Sequence, residues 1–167
     1  GEMNLARLLK HLLLPDWWRR RVFSAADLAA IEQEIATSET RHRGELRFVV
    51  EAGLPPGALW RDLTPRQRAA ELFASERVWD TEENSGILIY VQLVDRCVEI
   101  LADRGIAARV PQAEWDAICR AMEQALGAGR WREGALAAVA RASELLAEHF
   151  PAGEANPNEL PDAPLML

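Results

Sequence analysis

The sequence predicts a three-layer α/β sandwich, in which a small mixed β-sheet is flanked by helices, with an amphipathic helix ahead of it and an extended tail behind. Three observations carry this. Residues 86–94 read GILIYVQLV, a nearly continuous apolar run of strand length, as expected of a central strand buried on both faces. A second strand-like run, residues 45–51, lies upstream, and a capped helix separates the two, which is the order of a parallel crossover. The chain has 167 residues, 49% of them hydrophobic and 27% charged, a globular composition and a length suited to one core.

The elements follow in chain order. Gly1 and Glu2 read as a cloning remnant ahead of a native start at Met3. Leu5, Leu8, Leu9, Leu12 and Leu13 recur at helical spacing until Pro15 stops them, and Trp17, Trp18, Arg19, Arg20 and Arg21 follow. Across residues 1–21, five basic residues against Glu2 and Asp16 leave +3 in a chain whose net charge is −7. Two readings stand. The leucine face docks on the domain's own core, or Leu5, Leu8, Leu9, Leu12, Trp17, Trp18 and Arg19 to Arg21 meet a partner groove or an anionic membrane surface. The stretch is too short and too charged to span a bilayer and has no small-residue cleavage site after it, so neither export nor a membrane anchor is expected.

Ser24 and Asp27 form a capping box, and Leu28, Ile31 and Ile35 line a helix expected to reach about Arg41. Residues 45–51 form the first strand, ended by Gly53, Pro55, Pro56 and Gly57. Thr64, Pro65 and Gln67 then open a helix with Ala69, Leu72, Phe73 and Trp79 on its buried stripe, expected to last to about Trp79. After the strand at 86–94, only Asp95 and Arg96 precede a third strand at 97–102, which predicts a tight hairpin without the favoured glycine. Pro111 opens a helix with Trp115, Ile118, Met122 and Leu126 inward; Gly127 and Gly129 end it, and Leu136, Val139, Leu146 and Phe150 mark the last helix. The organisation is thus an N-terminal segment (1–21), a domain (22–150) and an extended Pro-rich tail (151–167).

Composition narrows function. Of nineteen basic residues all but Lys10 are Arg, the net charge is negative, and no basic face runs through the domain, so nucleic acid is not an expected partner. Two widely spaced cysteines, Cys97 and Cys119, argue against a disulfide framework or thiolate metal site and suit a reducing, cytoplasmic compartment.

The predicted hairpin places the end of its second strand beside the start of its first, bringing Asp103 to the loop that precedes residue 86. Asp80, Glu82, Glu83, Asn84 and Asp103 then form one acidic rim of hard oxygen ligands, suited to calcium or magnesium; the alternative is a set of solvated surface carboxylates. The rim is not an EF-hand, because its glycine falls at the seventh position and Val91 stands where the closing Glu belongs. Arg41-His42-Arg43-Gly44 closes a helix, where His42 would complement the dipole and not act on phosphate. Cys97 lies in a strand with no anion-binding turn behind it, and there is no phosphate-binding glycine loop with a Lys, no Gly-x-Ser-x-Gly and no His-Glu-x-x-His. Trp60, Trp79, Trp115 and Trp131 are expected to finish the core.

Several passages together resemble the TPM-domain family. They are Phe23-Ser24-Ala25-Ala26-Asp27-Leu28, Gly44-Glu45-Leu46-Arg47-Phe48-Val49-Val50, Trp79 with Asn84-Ser85-Gly86-Ile87-Leu88-Ile89, and Asp95-Arg96-Cys97-Val98-Glu99-Ile100 followed by Asp103-Arg104-Gly105-Ile106. The resemblance implies the α/β fold, calcium binding in some relatives and acid phosphatase activity in plant ones. Metal-dependent phosphomonoester hydrolysis at the rim is therefore the alternative to a non-enzymatic adaptor. Relatives usually carry an export signal and often a membrane span, and their Asn-Asn-Gly is Asn84-Ser85-Gly86 here. The chain looks like a cytoplasmic branch encoded beside a LemA-type membrane protein, which implies a membrane-proximal partner.

Overall fold

The computed structural model describes residues 22–54, 56–153 and 161–167. Ser24 and Asp27 exchange side-chain and backbone hydrogen bonds of 3.0 and 3.2 Å, and this capping box starts α1, Ala25–Ser38. The Ser38 hydroxyl turns back onto the Ile35 carbonyl (2.7 Å) and helps end α1 three residues before Arg41. Strand β1, Glu45–Glu51, is followed by a short α2, Pro56–Trp60, and by α3, Pro65–Ser75, capped reciprocally by Thr64 and Gln67. Helix α3 stops at Ser75 because Arg77 enters the left-handed region (φ 56°) and the Val78 N–H returns to the Phe73 carbonyl (3.0 Å), leaving Trp79 half-exposed beyond the helix.

Strands β2, Gly86–Gln92, and β3, Cys97–Ala102, form the hairpin; a short α4, Arg104–Ala107, then precedes α5, Gln112–Gly127, α6, Trp131–His149, and a two-residue β4, Leu165–Met166. β2 ends two residues before Val94. The N–H groups of Leu93 and Val94 bond to the Glu51 and Ala52 carbonyls (2.9 and 3.0 Å), not to β3, and Arg96 supplies the left-handed residue (φ 51°) that closes a four-residue turn.

The sheet order is β3-β2-β1-β4, with β2 parallel to β1, β3 antiparallel to β2 and β4 parallel to β1. Alternation assigns its two faces. Leu46, Phe48, Val50, Ile87, Ile89, Val91, Val98 and Ile100 enter the larger core with α1, α5 and α6, where Trp115 is fully buried. Val49, Leu88 and Tyr90 meet Ala69 and Leu72 of α3 in a smaller one. The α3 face is also polar. Ion pairs Arg66–Glu99, Arg68–Glu51 and Arg47–Glu76 fasten the helix to the sheet at 2.8–3.3 Å. Trp60 is 77% exposed and so does not finish the core, and α2 rests on a satellite cluster of Leu54, Ala58 and Leu59.

The tail does more than extend. Residues 165–167 return to the open edge of β1 and add the fourth strand, with Leu165 and Leu167 packed against the smaller core. Its two residues, between prolines upstream and the last residue of the sequence, carry too short a pattern to read as a strand.

Candidate functional site

Asp103 meets the end of the 80–86 loop where β1 and β2 begin and β3 ends. Glu45 pairs with Gly86, Ile87 pairs with Ala102, and the Asp103 N–H bonds to the Gly86 carbonyl (2.9 Å). Two glycines make this approach possible. A Cβ on Gly86 would stand 2.1 Å from the Val78 carbonyl oxygen, and one on Gly105 would stand 2.1 Å from the oxygen of Glu83 and 2.6 Å from that of Asn84. The Gly105 N–H instead reaches the Asn84 carbonyl at 2.8 Å. The loop itself is shaped by Thr81, whose hydroxyl accepts from the Ser85 N–H (2.9 Å), and by Asn84 in the left-handed region (φ 51°).

Asp103 is 8% exposed. Its Oδ1 accepts from the Arg104 N–H at 2.8 Å as the cap of α4, and its Oδ2 has no hydrogen-bond partner among the described residues. A buried carboxylate oxygen in this state is costly unless an ion, a water or a ligand meets it. Two other rim carboxylates face arginines: Asp80 pairs with Arg77, and Glu83 with Arg43 at 3.2 Å. Glu82 is exposed, and Asn84 is half-buried. Among the described residues, no group of three or more His, Cys, Asp or Glu side chains is placed to hold a metal ion. As arranged, then, the rim offers one fixed carboxylate, with Asp80 and Glu83 held by their arginines.

Arg43, just after α1, carries no sequence signal of a role at the rim. Besides Glu83, it donates to the Pro151 carbonyl (2.6 Å) and lies over the Phe150 ring, so the end of α6 anchors the rim. Its neighbour His42 is fully buried, 3.3 Å from the Ser38 hydroxyl, and burial pushes its pKa down to about 4. It therefore sits neutral in the core and does not complement a helix dipole by charge, which corrects the sequence expectation. A second set of carboxylates, invisible to local patterning, lies along the same edge. Glu39 hydrogen-bonds with Asp162 and Glu45, and burial, the Asp162 hydrogen bond and the Glu45 charge push its pKa up to about 9.

Cys119 is buried and its thiol pushed up to about 12 by burial; Cys97 is half-buried and also raised, chiefly by burial. Neither has the lowered pKa of a nucleophile. Leu5, Leu8, Leu9, Leu12, Trp17, Trp18, Arg19, Arg20 and Arg21 lie outside the described residues. No helix of the described residues is long and apolar enough to cross a membrane.

Comparison with known proteins bears on the fold. The family model described as the TPM domain matches residues 19–145. The NMR structure of the BA42 protein from the psychrophilic bacterium Bizionia argentinensis is similar over 86% of this chain and 94% of that one, with 26% identity and a TM-score of 0.75. The solution structure of the N-terminal domain of a protein from P. gingivalis shares the fold, at 18% identity and a TM-score of 0.65, over 80% of this chain and 83% of that one. Among curated proteins none matches the chain.

Proposed function

The chain belongs to the TPM-domain family, and from that premise we propose that it is a membrane-proximal protein-interaction domain whose acidic rim takes a calcium or magnesium ion. The observation that carries the reading is Asp103: a buried carboxylate with one oxygen left over, fixed beside the 80–86 loop by two glycine contacts. Asp103 is the anchor ligand. Glu83 and Asp80 complete the site by leaving Arg43 and Arg77, so the ion binds weakly and tightens the loop as it does. A LemA-type membrane protein is the class of partner, reached through Leu5, Leu8, Leu9, Leu12, Trp17, Trp18 and Arg19 to Arg21 in a cytoplasmic setting.

Calcium and magnesium titrations followed by backbone amide resonances test the ion. The expected result is saturable shifts in residues 80–86 and at Gly105; shifts spread over all surface carboxylates, or none, count against it. Flotation with anionic liposomes, before and after removal of residues 3–21, tests lipid contact, and a chain that stays with the soluble fraction leaves only a protein partner.

A second reading, a metal-dependent phosphatase, is favoured by the guanidinium groups of Arg43 and Arg77 beside the same carboxylates, since arginine is suited to phosphate. Hydrolysis of a generic phosphomonoester, stimulated by calcium or magnesium and lost in Asp80→Asn and Asp103→Asn, would establish it. Turnover indifferent to both substitutions removes it.

A further inference from the structure

Helices α5 and α6 pack against each other in opposite directions, yet the outward furrow between them is not filled. At one end a Cβ on Gly134 would stand 2.7 Å from the Ala125 Cβ, so the helices nearly touch; at the other, Arg141 pairs with Glu114 at 3.5 Å. Between these ends lies a cavity of about 540 Å3, floored by the buried Ile118 and Met122 and walled by the exposed Ala117, Ala121 and Ala137. Its charged residues stand only at the two ends. A groove with an apolar floor and no polar groups converging on its middle suits an apolar stripe of a helix better than a small polar ligand.

Three observations select the stripe. The described chain begins beside the groove: Val22 and Phe23 are buried, and the Phe23 ring meets Trp131 edge-on at 6.3 Å. Trp131 is the first residue of α6 and lies between Arg130 and Glu133, which line the same end of the cavity. From Leu13 to Val22 the chain can span up to about 30 Å, whereas the groove from Arg130 to Arg141 is about 17 Å long, so the segment before Val22 reaches all of it. That segment carries Leu5, Leu8, Leu9 and Leu12, the i, i+3, i+4, i+7 spacing by which a helix lays an apolar face into a groove. Finally, Arg130 and Glu133 make no ion pair among the described residues, and the link from the leucines to Val22 holds Asp16 and Arg19 to Arg21, partners of both signs. The end of the C-terminal tail is already engaged at β1, and a segment tethered beside the groove is favoured over the same segment of another molecule.

We propose that residues 5–13 dock in cis as a helix in the α5–α6 groove, with Leu5, Leu8, Leu9 and Leu12 inward over Ile118 and Met122. The groove thereby covers the leucine face in the free chain, and a protein partner or lipid surface that takes this face must first draw it out. Docking competes with the partner contact proposed above and depends neither on that contact nor on the ion.

Hydrogen exchange of the full chain, with neither lipid nor partner present, tests this by mass spectrometry of its N-terminal peptides. The eleven residues from Asn4 to Leu14 fall short of the roughly 12–15 that hold a helix in water without packing, so protection there reports docking. Amides 8–13 are expected to exchange at least about tenfold more slowly than those of an unstructured chain. Ala121→Glu and Ala137→Glu, one on each wall and both at exposed positions, abolish that protection and leave it intact in β2; Ala113→Glu, exposed on α5 outside the groove, leaves both. Leu8→Ser with Leu12→Ser also abolishes it and moves the backbone amide resonances of Ala117, Ala121 and Ala137, an arm that does not depend on the wall variants folding. Free exchange of amides 8–13 in the unsubstituted chain overturns the proposal, as does protection that survives both wall substitutions, or groove resonances indifferent to the leucines. Flotation can fail while this protection holds, and the reverse, so the two readings are separated.

Discussion

Replacing Gly105 with alanine asks whether α4 truly rests against the acidic loop. The added Cβ would lie 2.1 Å from one backbone oxygen and 2.6 Å from another, both in residues 83–84, against an ordinary carbon–oxygen approach of about 3.3–3.6 Å. Backbone cannot rotate aside as a side chain can, so α4 must move by about 1 Å or more. That movement breaks the 2.8 Å bond from Gly105 to Asn84 and strains the 2.9 Å bond from Asp103 to Gly86. Overpacking costs about 1–3 kcal/mol and a lost hydrogen bond about 1 kcal/mol, for a total near 2–4 kcal/mol. In a domain of this length about 2–4 °C of melting temperature accompanies each kcal/mol, so Gly105→Ala should melt about 4–16 °C below wild type in a calorimetric scan. The sign is the decisive feature. Helix propensity alone favours alanine over glycine by about 1 kcal/mol, so a loop lying apart from α4 would let the variant melt at or above the wild-type temperature. That result would refute the packing of loop on helix. Gly127→Ala, where an added Cβ meets nothing within 4 Å, supplies the control and should not lower the melting temperature.

Three further outcomes follow from buried charge. The Arg68 guanidinium grips Glu51 through bonds of 2.9 and 2.8 Å while the Tyr90 hydroxyl donates to the same carboxylate at 2.8 Å; Arg68→Met should cost about 3–5 kcal/mol in urea unfolding, and adding Glu51→Gln should recover part of it. His42, with its folded pKa lowered to about 4 from 6.5, takes up its proton in the unfolded state first. Its contribution is therefore present above pH 6.5 and lost as pH falls toward 4, by about 3 kcal/mol at most, and urea midpoints across that range should show a slope that His42→Asn flattens. Glu39, raised to about 9, works in the opposite sense. Its stabilisation is present below pH 4.5 and lost as pH rises toward 9, so Glu39→Gln should raise the midpoint at pH 8 relative to wild type and flatten the alkaline limb.

What the sequence made legible was what local rules govern. Ser24 with Asp27 and Thr64 with Gln67 announce helix starts because a cap is made within four residues, and the apolar run at 86–94 announces a strand buried on both faces because both sets of alternate residues are largely apolar. The place of Asp103 was legible for a related reason: a hairpin forces the end of β3 beside the start of β2, which puts Asp103 next to Gly86 from connectivity alone. Contacts closed by distant segments were not. Asp162 reaches Glu39 and Glu45 only after the chain has turned back across β1, and the Arg43 bond to Pro151 spans the whole of the intervening domain. Element ends were also misplaced where a non-glycine residue adopts the left-handed conformation. Arg77 and Arg96 carry no compositional mark of the turns they make, so α3 and β2 are shorter than their sequence patterns.

The presentation of Asp103 to the loop that begins at Asp80 is the point on which the functional account rests. The most direct measurement is the melting temperature of the chain with and without saturating calcium, compared with the same pair for Asp103→Asn. The variant keeps a capping oxygen for α4 but loses the charge. Because an ion bound only to the folded form must raise its stability, wild type should melt higher with calcium and the variant should not. An equal rise in both proteins, or no rise in wild type, would contradict the account.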